Sequence, residues 1–178
     1  MAGPRSISPA DYHRFAFISL GSNLGDSRRL LSQAAEQLQS LSMAPLEKSS
    51  LWSSAPIGCP PGSPPFLNAV AAIVPPNSME PEGLLEQLQA LEREFGRAPK
   101  IVLNEPRPLD LDLIVFRDQI RRTGTLTLPH PRAHHRLFVL GPLSELAPEL
   151  ILPGQTEPVR EQIVKLPSQE ARPLEEPW

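Results

Sequence analysis

The stretch PRPLDLDLIVF, residues 106–116, sets Asp110 and Asp112 two positions apart inside an apolar run. Side chains alternate along a strand, so both carboxylates point to one face while Leu111 and Leu113 point to the other. Two residues of strand rise separate their Cα atoms by about 6.5–7 Å. From there the carboxylates can converge on one or two hard cations. Magnesium takes such oxygen ligands and completes its shell with water and phosphate oxygens. The competing reading leaves both carboxylates in solvent on an open sheet face, paired with basic side chains.

Other residues bear on that choice. Arg93, Arg97, Lys100 and Arg107 all precede the pair, and a carboxylate pair beside guanidinium groups suits a polyphosphate. Arg93, flanked by Glu92 and Glu94, fits a solvated helix face better. His130, between Pro129 and Pro131, reads either as structural or as a donor to a phosphate oxygen. His134 and His135 lack metal-ligand spacing and are read as surface residues. Asn68 opens an apolar strand; it is either a strand-entry residue or a buried amide suited to the edge of a heterocycle. Phe66 and Phe138 read as core or as flat faces for a planar ring. LGSNLGD, residues 20–26, lacks both phosphate-loop spacings and reads as a strand-to-helix turn, with Asn23 or Asp26 as the cap.

These groups need elements to position them. FAFISL (15–20) and FLNAVAAIV (66–74) are short apolar runs with the character of buried strands. Leu31, Ala34, Ala35, Leu38 and Leu41 recur at helical spacing. Pro81 and Gly96 bracket a second helix whose apolar face is Leu84, Leu88, Leu91 and Phe95. LEKSSLWSSAPIG is a strand entering a proline-rich loop, TLTLPHPRAHHR a short strand and turn, and FVLGPLSELAPEL a helix. The order strand–helix–strand–strand–helix–strand predicts an α+β fold, a ferredoxin-like split βαβ sandwich with a mostly antiparallel sheet and helices packed on it. Residues 1–14 are expected as a loose leader, 15–152 as the domain, and 153–178 as a Pro/Glu-rich tail, in part poorly ordered.

Composition narrows the function classes. With 17 basic and 20 acidic residues the net charge is −3, so no global field recruits nucleic acid. Cys59 is the single cysteine; it cannot close an intramolecular disulfide or build a zinc site, and it fits a reducing, cytoplasmic setting. The start has no apolar signal region, and no apolar run approaches the ~20 residues of a membrane span.

Four blocks then occur in order: FISLGSNLGD, PFLNAV, GR…PRPLDLDLIVF and LPHPRAHHRLFVLGPLSELAPEL. Together they resemble the 6-hydroxymethyl-7,8-dihydropterin pyrophosphokinase (HPPK) family over about residues 15–152. The resemblance implies transfer of pyrophosphate from ATP to 6-hydroxymethyl-7,8-dihydropterin in folate biosynthesis, by a monomer or simple homo-oligomer. It implies that Asp110 and Asp112 bind two Mg2+ ions and that Arg97 acts with them in catalysis. Arg97, Arg107, His130 and Glu92 would serve the ATP. The pterin would fall to Ser54, Pro56, Gly58, Phe66, Asn68, Phe138 and Arg136. One departure stands out: the loop before the D-x-D strand offers Lys100, with Leu103 and Asn104 where the family usually has arginine and aromatic character. That raises the alternative of a catalytically weakened pterin- and ATP-binding protein. Trp52 is a candidate for part of the missing aromatic role. A nucleotidyltransferase with D-x-D metals would leave PFLNAV and LPHPRAHHR unexplained.

Overall fold

The computed structural model describes residues 4–56, 58–97, 105–176 and 178. Strand β1 (Ala16–Ser22) runs through the centre of the sheet and is buried along its whole length. Its neighbours are β4 (Phe66–Ile73) on one side and β5 (Asp110–Phe116) on the other, both antiparallel. Beyond β4 lies β3 (Trp52–Ser54), with β2 (Glu47–Lys48) pairing β4 earlier in the chain. The break between β2 and β3 is bridged by Ser49: its N–H donates to the Val70 carbonyl at 2.9 Å, and its hydroxyl accepts the Val70 N–H at 2.9 Å. The sheet order β5-β1-β4-β3 is that of the split βαβ sandwich, and the expected fold class holds.

Helices α1 (Ser27–Ser40) and α2 (Pro81–Glu94) are the two connections of this unit. Asp26 caps α1, its Oδ1 accepting the Arg29 N–H at 3.2 Å; Pro81 sits at the start of α2, where its missing N–H costs nothing. Leu31, Leu38, Leu84 and Leu88 pack with Ile18, Leu20, Leu111 and Leu113 on one sheet face. The opposite face carries Phe17, Val70, Ala72, Ile114 and Val115 under α3 (Leu137–Leu146). Simple alternation fails once: the register of β5 against β1 shifts at Phe17/Ile18, so Ile114 and Val115 join one core cluster and Phe116 the other. A bulge of this kind carries one unpaired residue and re-aims those after it.

The helix expected over 138–150 ends at Leu146, because Ala147 precedes Pro148 and is pushed out of the helical region. Both chain ends differ from the expected loose segments. Ile7 and Tyr12 are buried, the Ile7 N–H donates to the Leu146 carbonyl at 2.8 Å, and Pro9–Arg14 forms a 3-10 helix. The tail forms α4 (Val159–Lys165) and an edge strand, β8 (Ala171–Pro173), after a two-stranded ribbon of β6 (Arg121–Arg122) and β7 (Thr127–Leu128). β8 pairs with β3, and the Trp178 indole N–H donates to the Ser49 carbonyl at 2.8 Å. A few apolar residues per segment suffice for this docking, too few to leave a periodic signature in the sequence.

Candidate active site

Antiparallel pairing places residues of different strands side by side on one face. Asp110 stands opposite Gly21, Gly21 opposite Asn68, and Asn68 opposite Trp52; Asp112 stands opposite Ser19. This row lies on the face that α3 covers, at the end which α3 leaves open. The result is a cavity of about 590 Å³ whose lining includes Asp110 and Asp112 at one side and Ser54, Phe66, Asn68 and Phe138 at the other. Gly21 forms part of the floor. A Cβ there would lie 3.5 Å from Asn68 Oδ1 and 3.8 Å from Asp110 Cβ, so it would meet no clash but would occupy cavity space between the amide and the carboxylate.

The carboxylates sit among cations. Asp110 Oδ1 accepts from Arg97 at 2.8 Å and from Arg107 at 3.1 Å. Arg97 also pairs with Glu92, a buried carboxylate on α2 that accepts the Leu111 N–H at 2.8 Å. Glu92 thus fastens α2 to β5 and holds Arg97 beside Asp110. Burial pushes its pKa up, against the Leu111 hydrogen bond and the Arg97 charge. Asp112 is raised too, by burial first and by the Asp110 charge second, with His130, Arg136 and Arg97 opposing. His130 is lowered by burial, against the pull of Asp112; its ring Nδ1 accepts the Arg132 backbone N–H at 3.3 Å, and its backbone N–H donates to the Ile114 carbonyl at 2.9 Å.

Asn68 is buried, and its Nδ2 donates to Ser54 Oγ at 2.9 Å. That bond fixes the amide so that Oδ1 lies over Gly21. Arg136, at the N-cap of α3, places its guanidinium 5.4 Å from the Phe138 ring centre. Trp52 is engaged elsewhere. Its indole N–H donates to Glu145 Oε1 at 2.7 Å, and its ring lies so close to α3 that a Cβ on Gly141 would meet it at 2.5 Å.

Most of the residues singled out from the sequence therefore share one cavity: Ser54, Phe66, Asn68, Arg97, Arg107, Asp110, Asp112, Arg136 and Phe138. Four do not line it. Pro56 borders a neighbouring surface groove with Pro65 and Arg172; Gly58 is an exposed turn residue at φ +66°. Glu92 stands behind Arg97, and His130 acts on Asp112 from outside the lining. Arg93 is exposed, as a solvated face requires. Lys100, Leu103 and Asn104 lie outside the described residues, as does Ile57. Sequence reasoning did not single out Ser19, Gly21, Arg132 or Gln169 as cavity residues, and it left His135 as a surface residue; it is exposed but also lines the cavity. Ser19 and Gly21 were accessible in principle through register with the aspartates. Asn23 caps no helix. Its Oδ1 accepts the Arg107 N–H at 2.9 Å and its Nδ2 donates to the Pro64 carbonyl at 3.2 Å, tying two cavity loops together.

The sequence profile of the 7,8-dihydro-6-hydroxymethylpterin-pyrophosphokinase (HPPK) family matches residues 17–148. The chain belongs to the HPPK family. A 2-amino-4-hydroxy-6-hydroxymethyldihydropteridine pyrophosphokinase of Haemophilus influenzae is 39% identical over 140 residues, which cover 78% of this chain and 85% of that protein. The enzyme of the same name from Porphyromonas gingivalis is 41% identical over 138 residues, 75% of this chain and 91% of its own. The folic acid synthesis protein fol1 of Schizosaccharomyces pombe is 36% identical over 161 residues, 90% of this chain; the chain spans only 21% of that longer protein. Among solved structures, an HPPK-DHPS in complex with substrates aligns with a TM-score of 0.64 at 13% identity, over 84% of this chain and 43% of that one. At that identity the likeness speaks for the fold. No helix among the described residues is long and apolar enough to cross a membrane.

Proposed function

We propose that this HPPK-family chain transfers the pyrophosphoryl group of ATP to the hydroxymethyl oxygen of 6-hydroxymethyl-7,8-dihydropterin, releasing AMP, in folate biosynthesis. One observation carries the reading: a single cavity has a carboxylate pair among guanidinium groups at one side and a buried amide with two aromatic rings at the other. A triphosphate fits the first and a planar heterocycle the second.

The donor set suits magnesium. Among the described residues no group of three or more His, Cys, Asp and Glu side chains could hold a metal. Asp110 and Asp112 would hold two Mg2+ ions as carboxylate ligands and leave the other positions to water and phosphate oxygens, as Mg2+ prefers. When bound, such ions neutralise charge on the phosphate oxygens. Arg97 and Arg107 would contribute guanidinium donors to the same oxygens, with Glu92 orienting Arg97 from behind. His130 would offer an imidazole N–H to the same phosphate oxygens, and Arg136, 5.4 Å from the Phe138 ring centre, would serve the pterin. Asn68 would read the pterin edge, oriented by Ser54, and Phe66 and Phe138 would stack on the ring. Catalysis would rest on positioning and charge neutralisation, where orientation alone supplies up to about 7–11 kcal/mol. The same reading makes the enzyme cytoplasmic, a monomer or simple homo-oligomer, without a nucleic-acid partner; the net charge of −3 supports the last point.

The test is AMP formation from ATP and Mg2+ with and without the pterin. Pterin-dependent AMP is expected. Saturable pterin binding without AMP would replace this reading with that of a binding protein.

A further inference from the structure

The C-terminal tail lies beyond the family match, which ends at residue 148, yet it touches two walls of the cavity. On one side β8 pairs with β3, Ala171 opposite Ser54, and the Ala55 N–H donates to the Glu170 carbonyl at 3.0 Å. On the other side Gln169 reaches the start of α3. Its Oε1 accepts the Leu137 N–H at 2.9 Å, and its Nε2 donates to the His135 carbonyl at 2.9 Å. These two bonds bracket Arg136.

Helix starts leave N–H groups without intrahelical partners, and side-chain caps normally satisfy one of them. The N-cap of α3 is Arg136, which provides no such bond. A glutamine from a distant segment supplies it, while holding the peptide on the other side of the same residue. Ser54, Ala55, Arg136, Phe138 and Gln169 all line the cavity.

We propose that Gln169 is a positioning residue: its amide clamps the backbone on both sides of Arg136, and so fixes Arg136 and Phe138 against the Ser54–Ala55 wall. Resting on the pyrophosphokinase reading, this makes the tail a determinant of pterin affinity, because these walls flank Asn68 and Phe66. ATP, whose phosphates fall to the carboxylate side, depends on it far less.

The experiment uses the full chain with Gln169→Met, which keeps the shape and removes both bonds, and Gln169→Glu, which keeps only the acceptor. Amide exchange at Leu137 reports the clamp directly; exchange at Ala55 reports whether β8 stays docked. For Gln169→Met, Leu137 exchange is expected to accelerate at least tenfold with Ala55 unchanged. The pterin dissociation constant should rise about tenfold, the loss of roughly one net hydrogen bond, and ATP binding should shift less than twofold. Gln169→Glu should restore part of the Leu137 protection. Unchanged Leu137 exchange would overturn the clamp. Accelerated exchange with unchanged pterin affinity would overturn the positioning role. Failure of the unmodified chain to bind pterin would instead sink the function reading, and the Leu137 exchange would still decide whether Gln169 holds this wall.

Discussion

Two ends of one sheet face, built from the same three strands, are used in opposite ways. At the covered end Phe17, Val70, Ala72, Ile114 and Val115 pack beneath α3 and are almost fully buried. At the open end, a few residues along β1, β4 and β5, the face presents Ser19, Gly21, Asn68, Asp110 and Asp112 to a cavity. Two glycines mark the difference. Gly141 lets Trp52 lie against α3, where a Cβ would overlap the ring at 2.5 Å; Gly21 leaves a gap that a Cβ would fill without overlap. One glycine permits packing and the other permits a ligand. Substitutions at the covered end should therefore act on stability and those at the open end on turnover, with little crossing over.

Four substitutions sharpen or break that division. The largest effect is expected from Asp110→Ala, which removes a carboxylate facing the cavity. kcat/KM should fall by at least about a thousandfold, comparable with losing a principal electrostatic contributor. Its ion pairs with Arg97 and Arg107 are partly exposed, so denaturant unfolding should show a stability loss of only about 1 kcal/mol. Next is Asn68→Ala. Losing a buried, oriented amide should raise the KM for pterin about ten- to a hundredfold in steady-state kinetics, with the KM for ATP little changed. Gly141→Ala should act in the other direction, lowering Tm by about 3–10 °C through overpacking while kcat stays near that of the parent chain. Smallest is Gly21→Ala, expected to weaken pterin binding several-fold with Tm unchanged. A Tm drop for Gly21→Ala matching that for Gly141→Ala would dissolve the distinction between the two glycines.

The sequence made the α+β order and the paired carboxylates legible because each rests on a local pattern: helical spacing in Leu31–Leu38, an apolar run in β4, and period-two alternation at Asp110 and Asp112. What it could not reveal depends on distant partners. The bulge that sends Ile114 and Val115 to the same face arises from pairing with β1. Trp52 was a candidate for the cavity and is instead bound to Glu145 on α3, a contact 93 residues apart in sequence. The tail read as loose from its Pro and Glu content, yet Gln169 reaches 32 residues back to Leu137. His135 read as a surface residue for want of metal-ligand spacing, and Arg132 drew no notice; both reach the cavity through the turn that precedes α3.

Asp112→Asn separates a metal-holding carboxylate from a structural one, because it changes a charge and almost no volume. The folded-state pKa of Asp112 lies above its ordinary carboxylate value, through burial and the Asp110 charge. Its contribution to stability is therefore fully present below that ordinary value and is lost as pH rises through the raised folded-state value. At neutral pH, with metal chelated, the raised carboxyl group therefore costs stability that asparagine would not. Pterin-dependent AMP formation and, in a chelator, Tm would be measured on one preparation. AMP formation should be lost while Tm stays equal to or above that of the parent chain. Retained AMP formation, or a Tm lower by several degrees, would contradict the metal-holding role.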